Sequence, residues 1–156
     1  MIVQVYSDTS HCEKTRIAAC GFVALSDGKL IKHHVKLLSD VSGAYQGEFI
    51  AGTDALQYAF LLSGVTKIVL HTDCLALIIQ SRYANKRKRS KPMFITEYIE
   101  TIETINECGV EVECIYVEGH ADDDMNNYID QSVRYQLRNY IKTKHINGSK
   151  FKHTMD

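Results

Sequence analysis

The stretch Ile2-Val-Gln-Val-Tyr-Ser-Asp8 opens the chain with alternating apolar and polar side chains and ends on a carboxylate. A period of two is typical of a β-strand whose two faces meet different surroundings. Two further apolar segments, residues 17–25 and 29–38, flank Ser26-Asp27-Gly28, a sequence that favours a hairpin turn. Three antiparallel strands are therefore predicted at the start of the domain.

The rest of the chain alternates helical and strand patterns. Apolar residues at helical spacing predict four helices, the first following Gly43 and running to about residue 62 and the others at about 74–83, 92–107 and 126–142. Short apolar or alternating segments predict two more strands, at 66–72 and 110–118. These later strands need helical crossovers to run parallel. The order predicts an α/β protein with a five-stranded mixed sheet, three antiparallel strands and then two parallel ones, with helices on both faces.

The composition is that of an ordinary soluble globular protein. The chain has 156 residues, of which 45% are hydrophobic and 24% charged, and its net charge is −1. We expect one domain over residues 1–143 and a loose C-terminal tail over 144–156, which lacks apolar periodicity. No apolar run approaches the roughly 20 residues of a membrane span, so we expect no membrane partner.

Cysteine usage bears on the compartment. The five cysteines form an odd count without C-x-x-C spacing, and they stand at positions 12, 20, 74, 108 and 114. This pattern favours free thiols in a reducing cytosol or nucleus over disulfides or structural zinc. The N-terminus enters a strand pattern at once, without a basic leader or a cleavage signal. We expect a cytoplasmic protein, with a nuclear one as the alternative.

Four acidic residues occur in an order that suits a metal-dependent site: Asp8, Glu48, Asp73 and Asp130. Two of them close strand patterns and two lie in helical patterns, so all four could point into one cleft. Carboxylates gathered there would repel one another unless cations held them, and hard divalent cations prefer oxygen ligands. Paired Mg²⁺ ions in nucleases lie about 3.5–4 Å apart. The set predicts a site for two Mg²⁺ ions, or Mn²⁺, although each residue alone could be a turn, capping or solvated helix residue.

Three short motifs contain the first three acids, and a fourth precedes the last acid by about ten residues. In chain order the set is Tyr6-Ser7-Asp8-Thr9-Ser10, Gly47-Glu48, His71-Thr72-Asp73, Gly119-His120-Ala121 and Asp130. Together they resemble the type 1 ribonuclease H family over residues 1–142, with the spacing from His120 to Asp130 as the most specific part. The resemblance implies a ribonuclease H-like fold. It also implies an endonuclease that hydrolyses the RNA strand of RNA–DNA hybrids and leaves 3′-hydroxyl and 5′-phosphate ends.

The same resemblance implies a role for each residue of the site. Asp8 is similar to the ligand that bridges both metal ions, and Glu48 and Asp73 resemble the flanking ligands. Asp130 is similar to the carboxylate that holds the second ion. His120 resembles a histidine on a mobile loop that helps the leaving group or product depart, a role that suits a side chain titrating near neutral pH.

Six residues are predicted to contact nucleic acid. Gln46 stands where the family places an asparagine, so its amide could donate and accept in that place, although the change leaves recognition of the 2′-hydroxyl open. Asn126, between His120 and Asp130, is the second. The basic run 82–91 resembles a segment that grips the DNA strand, and its predicted phosphate contacts are Lys86, Arg87, Lys88 and Arg89. The alternative for this run is a solvated linker or a nuclear-localisation-like signal.

Two neighbouring features favour structural roles. His71 lies in an apolar strand pattern and is expected to be a hydrogen-bonded structural histidine. The three successive residues Asp122, Asp123 and Asp124 are expected to form a solvated loop.

We expect a monomer whose partner is an RNA–DNA hybrid, and two other functions stay open. One is a related-fold nuclease that cuts duplex DNA or four-way junctions, because the residues before Glu48 differ from the family pattern. The other is a non-catalytic module that binds hybrids. The four acids oppose this second alternative, since a protein that only binds has no need to keep costly like charges together.

Overall fold

The computed structural model describes residues 1–84, 91–118 and 123–147, with side chains as far as Lys144. Its elements, in chain order, are β1 (Ile2–Cys12), β2 (Ile17–Ser26), β3 (Lys29–Leu38), α1 (Ala44–Phe60), β4 (Lys67–Thr72), α2 (Leu75–Ser81), α3 (Met93–Glu107), β5 (Glu111–Tyr116) and α4 (Asp124–Asn147). This order is the one that the sequence patterns predict.

The five strands form one mixed sheet in the order β3-β2-β1-β4-β5. β1 pairs antiparallel with β2, and β2 pairs antiparallel with β3. β1 pairs parallel with β4, and β4 pairs parallel with β5. The predicted sheet, with three antiparallel strands followed by two parallel ones, is confirmed.

Helices cover both faces of the sheet, as predicted. On one face, α1, α2 and α3 pack on a core that includes Val5, Phe49 and Tyr98. On the other face, α4 places Ile129 and Val133 against Val23 of β2. Burial of these apolar side chains is the main source of stability for such a layered fold. All five cysteines are free, in agreement with the expected free thiols.

The turn between β2 and β3 has the predicted hairpin geometry. Asp27 has a φ of 51° and Gly28 a φ of 75°. Two successive residues with positive φ form the two-residue turn whose twist matches that of the flanking strands. Asp-Gly is a favoured pair for this turn because glycine pays no steric cost there.

The first strand is longer than the sequence pattern indicates. β1 was expected to end at Asp8, but it continues to Cys12. The reason is that β2 pairs with β1 along its whole length, with Asp8 opposite Gly21 and Cys12 opposite Ile17. Polar residues after Asp8 hide this continuation, because the strand is stabilised there by its partner rather than by an apolar pattern.

The last helix is also longer than predicted. α4 begins at Asp124 and runs to Asn147, so residues 144–147, which we assigned to a loose tail, are helical. Tyr140 and Ile141 still pack on the core beneath α4. The Lys144 ammonium group lies 4.8 Å from the centre of the Tyr140 ring. These contacts extend the helix beyond the predicted end, and residues 148–156 lie outside the described residues.

Candidate active site

The site begins where two parallel strands separate. β1 and β4 are paired from Ile2 as far as Tyr6, which lies opposite His71. Beyond that point β1 continues beside β2 alone, and β4 ends at Thr72. Ligands of open α/β sheets bind beyond the carboxyl ends of the strands, where neighbouring strands part. Asp8 is two residues beyond the last β1–β4 pair and Asp73 is one residue beyond β4, so both carboxylates occupy this opening.

A close approach of helix to strand brings Glu48 to the same place. The preceding residue, Gly47, is buried against β1, and a Cβ atom on it would lie 2.5 Å from Thr9 Oγ1. Thr9 Oγ1 is held in turn by a 3.0 Å hydrogen bond to the Ala19 carbonyl oxygen. Only a residue without a side chain lets α1 lie this near the strand. Glycine at position 47 therefore sets the depth at which Glu48 enters the site.

Three carboxylates meet at this point. Asp8, Glu48 and Asp73 each offer an oxygen, and these three atoms lie within 4.8 Å of one another. Asp8 is only 3% exposed, and its Oδ1 accepts a 2.8 Å hydrogen bond from the Thr9 backbone N–H. Asp8 Oδ2 and Glu48 Oε2 are buried and accept no hydrogen bond from the described part of the chain. Buried polar atoms of this kind are costly unless a ligand satisfies them.

The pKa values of two of these acids reflect the crowding. Burial, followed by the charge of Asp73 and contact with the Asp130 carboxyl group, raises the pKa of Asp8 to about 8. Burial, followed by the charges of Asp8 and Asp73, raises the pKa of Glu48 well above its ordinary value. Desolvation and nearby like charges both disfavour an ionised carboxyl. A divalent cation among these oxygens would reverse both effects, because it stabilises the charged form.

Asp130 approaches the cluster from the opposite side of the sheet. It lies in the second turn of α4, and contact with its carboxyl group contributes to the raised pKa of Asp8. Asp130 also forms an ion pair with Arg134, in which Nε and Oδ1 are 3.2 Å apart. Asp130 is therefore next to Asp8, although the described residues whose oxygens lie within 4.8 Å of one another are Asp8, Glu48 and Asp73.

Comparison with known families agrees with this arrangement. A sequence model of RNase H matches residues 1–138. The chain belongs to the RNase H family. Membership of the RNase H family supports a ribonuclease H-like nuclease activity, and the family binds RNA–DNA hybrids. A comparison with curated proteins finds no match.

Two of the residues predicted to bind nucleic acid in this RNase H family member are engaged or buried. Gln46 Oε1 accepts two 2.9 Å hydrogen bonds from Ser42, one from the backbone N–H and one from the hydroxyl group. This arrangement stabilises the entry to α1. Asn126 is only 2% exposed, and its Oδ1 accepts no hydrogen bond from the described residues, so its contact with nucleic acid stays a prediction.

His120 and the four basic residues Lys86, Arg87, Lys88 and Arg89 lie outside the described residues.

Among the residues that are described, no helix is both long enough and apolar enough to cross a membrane.

Two residues flanking the site have structural roles. His71 Nε2 lies 2.6 Å from Gln4 Oε1, and the His71 ring stacks on Tyr6 with ring centres 4.1 Å apart. The expected structural histidine is thus confirmed, and burial lowers its pKa. Of the three aspartates expected to form a solvated loop, Asp122 lies outside the described residues and Asp124 is in α4. Asp123 precedes the helix, and its Oδ1 accepts hydrogen bonds of 3.1 Å from the backbone N–H groups of Met125 and Asn126. It caps the start of α4.

Sequence reasoning missed how Thr9 and Arg134 shape the site. Thr9 orients Asp8 through its backbone and packs against Gly47 through its side chain. Arg134 neutralises part of the charge on Asp130. The four-residue spacing of Asp130 and Arg134 could have indicated the ion pair, because side chains four residues apart on a helix are neighbours. No local sequence pattern indicates the role of Thr9.

Proposed function

We propose that this protein is an endonuclease that hydrolyses the RNA strand of RNA–DNA hybrids with the help of two divalent cations. Mg²⁺ is the proposed physiological ion, and Mn²⁺ is an expected substitute. The proposed ligands are Asp8, Glu48, Asp73 and Asp130. The products would carry 3′-hydroxyl and 5′-phosphate ends, as the family resemblance implies.

The observation that supports this proposal most strongly is the pair of buried oxygens without a partner. Asp8 Oδ2 and Glu48 Oε2 belong to a group of three acids whose oxygens lie within 4.8 Å of one another. Oxygen-only donor sets of this kind suit hard cations such as Mg²⁺. No lysine or arginine forms an ion pair with Asp8 or Glu48 within the described ranges, so a cation from solution would be the natural counter-charge.

Each residue has a defined task in this proposal. The backbone N–H of Thr9 holds Asp8 Oδ1, which leaves Oδ2 to face the other acids. Gly47 fixes the position of Glu48 against β1. Asp73 and Asp130 supply carboxylates from the end of β4 and from α4. Divalent cations bound at such carboxylates lower the pKa of an attacking water and stabilise charge on the leaving oxygen.

Roles for the residues beyond the described ranges rest on the sequence. His120 is proposed to exchange a proton with the leaving 3′-oxygen or to assist product departure. The run containing Lys86, Arg87, Lys88 and Arg89 is proposed to bind phosphates of the DNA strand, which would position the hybrid without reading its sequence.

The proposal is tested by cleavage of four labelled substrates: an RNA–DNA hybrid, duplex DNA, duplex RNA and a four-way DNA junction. Each is incubated with Mg²⁺, with Mn²⁺ and with EDTA. Cleavage of the hybrid alone, in its RNA strand and abolished by EDTA, is the expected result. Binding of the hybrid without any metal-dependent product would instead favour the non-catalytic module.

One observation keeps a DNA-cutting nuclease as a second candidate. The Oε1 atom of Gln46, the residue proposed to contact the RNA strand, accepts two hydrogen bonds from Ser42. Discrimination between RNA and DNA depends on contacts to the 2′-hydroxyl, and this acceptor is not available for one. Cleavage of duplex DNA or of the junction, with an intact hybrid, would establish this second function.

A further inference from the structure

A groove leads away from the active site between the second half of β1 and α4. Its volume is about 500 Å³. The residues that line it are Thr9, Ser10 and His11 on the strand and Asp130, Arg134, Leu137, Arg138 and Ile141 on the helix. Two of these belong to the site itself, because Thr9 hydrogen-bonds to Asp8 and Asp130 contacts Asp8. The groove is therefore continuous with the acidic cluster.

The walls of the groove become basic with distance from the cluster. Arg134 and Arg138 lie one helical turn apart, and side chains at that spacing share a helix face. Arg134 is engaged by Asp130 at 3.2 Å. For Arg138, no ion pair is found within residues 1–84, 91–118 and 123–147. The Arg138 guanidinium group, which lies farther from the acidic cluster than that of Arg134, is therefore available to bind an anion.

His11 gives a second, independent sign of a ligand. Its Nε2 atom is buried and has no hydrogen-bond partner among the described residues. A buried ring nitrogen without a partner is destabilising, so such an atom is expected to meet a ligand or water in the working protein. His11 lines the groove from the strand side, opposite the arginines of α4.

We propose that this groove binds backbone phosphates of the strand that is cut, with Arg138 and His11 as the phosphate-binding residues. This inference rests on the proposed function and adds a subsite to it. Arg138 follows Asp130 by eight residues, which corresponds to a rise of about 12 Å along the helix. The groove therefore extends past the cleaved phosphate towards its neighbours along the same strand. Arginine suits this task because its planar fork binds phosphate oxygens in pairs.

The test compares Arg138→Gln with Lys142→Gln. Both remove one positive charge from α4, but Lys142 does not line the groove. Cleavage kinetics are measured on a long hybrid at several salt concentrations. Arg138→Gln is expected to raise KM about tenfold or more with kcat unchanged, as the loss of one charged hydrogen bond predicts. The slope of log KM against log salt should decrease by about 0.7–0.9 for the lost phosphate contact. Lys142→Gln should match the wild type.

A shortened hybrid tests whether the KM change of Arg138→Gln comes from phosphates that lie in the groove. When the cut strand ends within two nucleotides of the cleaved bond on the groove side, Arg138→Gln and the wild type should have equal KM values. His11→Ala serves as a second variant with the same expected pattern, and thermal melting shows whether each variant folds. Equal KM values and salt slopes for Arg138→Gln and Lys142→Gln on the long hybrid would overturn the proposal.

Binding measurements separate this inference from the proposed function. Fluorescence anisotropy of a labelled hybrid in Ca²⁺ reports affinity without requiring cleavage. If the wild type binds but does not cut, the proposed function fails, and a weaker affinity of Arg138→Gln than of Lys142→Gln still supports the groove. If the wild type cuts normally and the two variants bind alike, only the groove proposal fails.

Discussion

Gly47 of α1 lies so close to Thr9 of β1 that a Cβ atom on the glycine would come within 2.5 Å of the threonine hydroxyl oxygen. That oxygen cannot easily move away, because it is bonded to the Ala19 carbonyl and lies 3.4 Å from Cys20 Sγ. The contact joins the first helix to the strand that carries Asp8. The position of Glu48 relative to Asp8 therefore depends on the absence of a side chain at residue 47.

Gly47→Ala is therefore expected to shift α1 and with it Glu48. Overpacking of this kind costs about 1–3 kcal/mol of unfolding free energy. We expect at least a tenfold loss of kcat on the hybrid, since the ligand oxygens would no longer share one site. Gly43→Ala, at the start of the same helix, is the control because no atom lies within 4 Å of a Cβ there. Equal activity of the two variants would show that the close approach does not matter.

Asp8→Asn should abolish cleavage and leave the fold intact. Asparagine keeps the oxygen that accepts the Thr9 N–H but removes the charge that would hold a cation. Asparagine is neutral without taking up a proton, so it should also raise the melting temperature of the metal-free protein near neutral pH, by about 2–4 °C for each kcal/mol gained. The measurements are hybrid cleavage and thermal melting in EDTA. Activity above a few percent of wild type would contradict the role of Asp8.

The metal-free protein should lose stability as the pH rises from about 4 to about 8. In the unfolded chain, the Asp8 carboxyl loses its proton near pH 4, whereas in the folded protein its pKa is raised to about 8. The folded state therefore binds more protons in this window, and stability falls with pH. Glu48 acts in the same direction.

Two comparisons isolate this pH effect. Asp8→Asn should show a flatter dependence of melting temperature on pH than the wild type, both in EDTA. Addition of Mg²⁺ should stabilise the wild type more at pH 8 than at pH 5, because binding displaces protons from the carboxyl groups. Parallel pH curves for the two proteins would rule out a raised pKa at Asp8.

Gln46→Ala and Ser42→Ala separate helix capping from substrate recognition. Both changes weaken the same contact, because Ser42 donates to Gln46 Oε1. Each is expected to cost about 1 kcal/mol of stability. Gln46→Ala also removes an amide NH₂ group that could donate to a 2′-hydroxyl. We expect KM for the hybrid to rise about threefold or more in Gln46→Ala alone, whereas equal KM values would assign Gln46 to capping only.

Local patterns were sufficient to predict the fold. Alternation in the first strands, the Asp27-Gly28 turn and the order of helices and strands each depend on neighbouring residues. The rule that parallel strands need crossovers then fixes the type of sheet. The observed order β3-β2-β1-β4-β5 agrees with this reasoning.

Features that depend on distant residues were not predictable. β1 continues past Asp8 because β2 pairs with it, and α4 continues past Lys142, where Lys144 lies over the ring of Tyr140. The acids could be named from their order in the chain. The distances among them could not, because these depend on the contact between Gly47 and Thr9, which no sequence spacing reveals.

The most direct test of the account is anomalous diffraction from crystals soaked in Mn²⁺. The proposed function requires that Asp8, Glu48 and Asp73, whose oxygens lie within 4.8 Å of one another, hold a divalent cation. We predict a strong manganese peak in contact with Asp8 Oδ2 and Glu48 Oε2, which is absent from crystals of Asp8→Asn. Wild-type crystals at the same Mn²⁺ concentration without a peak at these oxygens would contradict the metal-dependent mechanism.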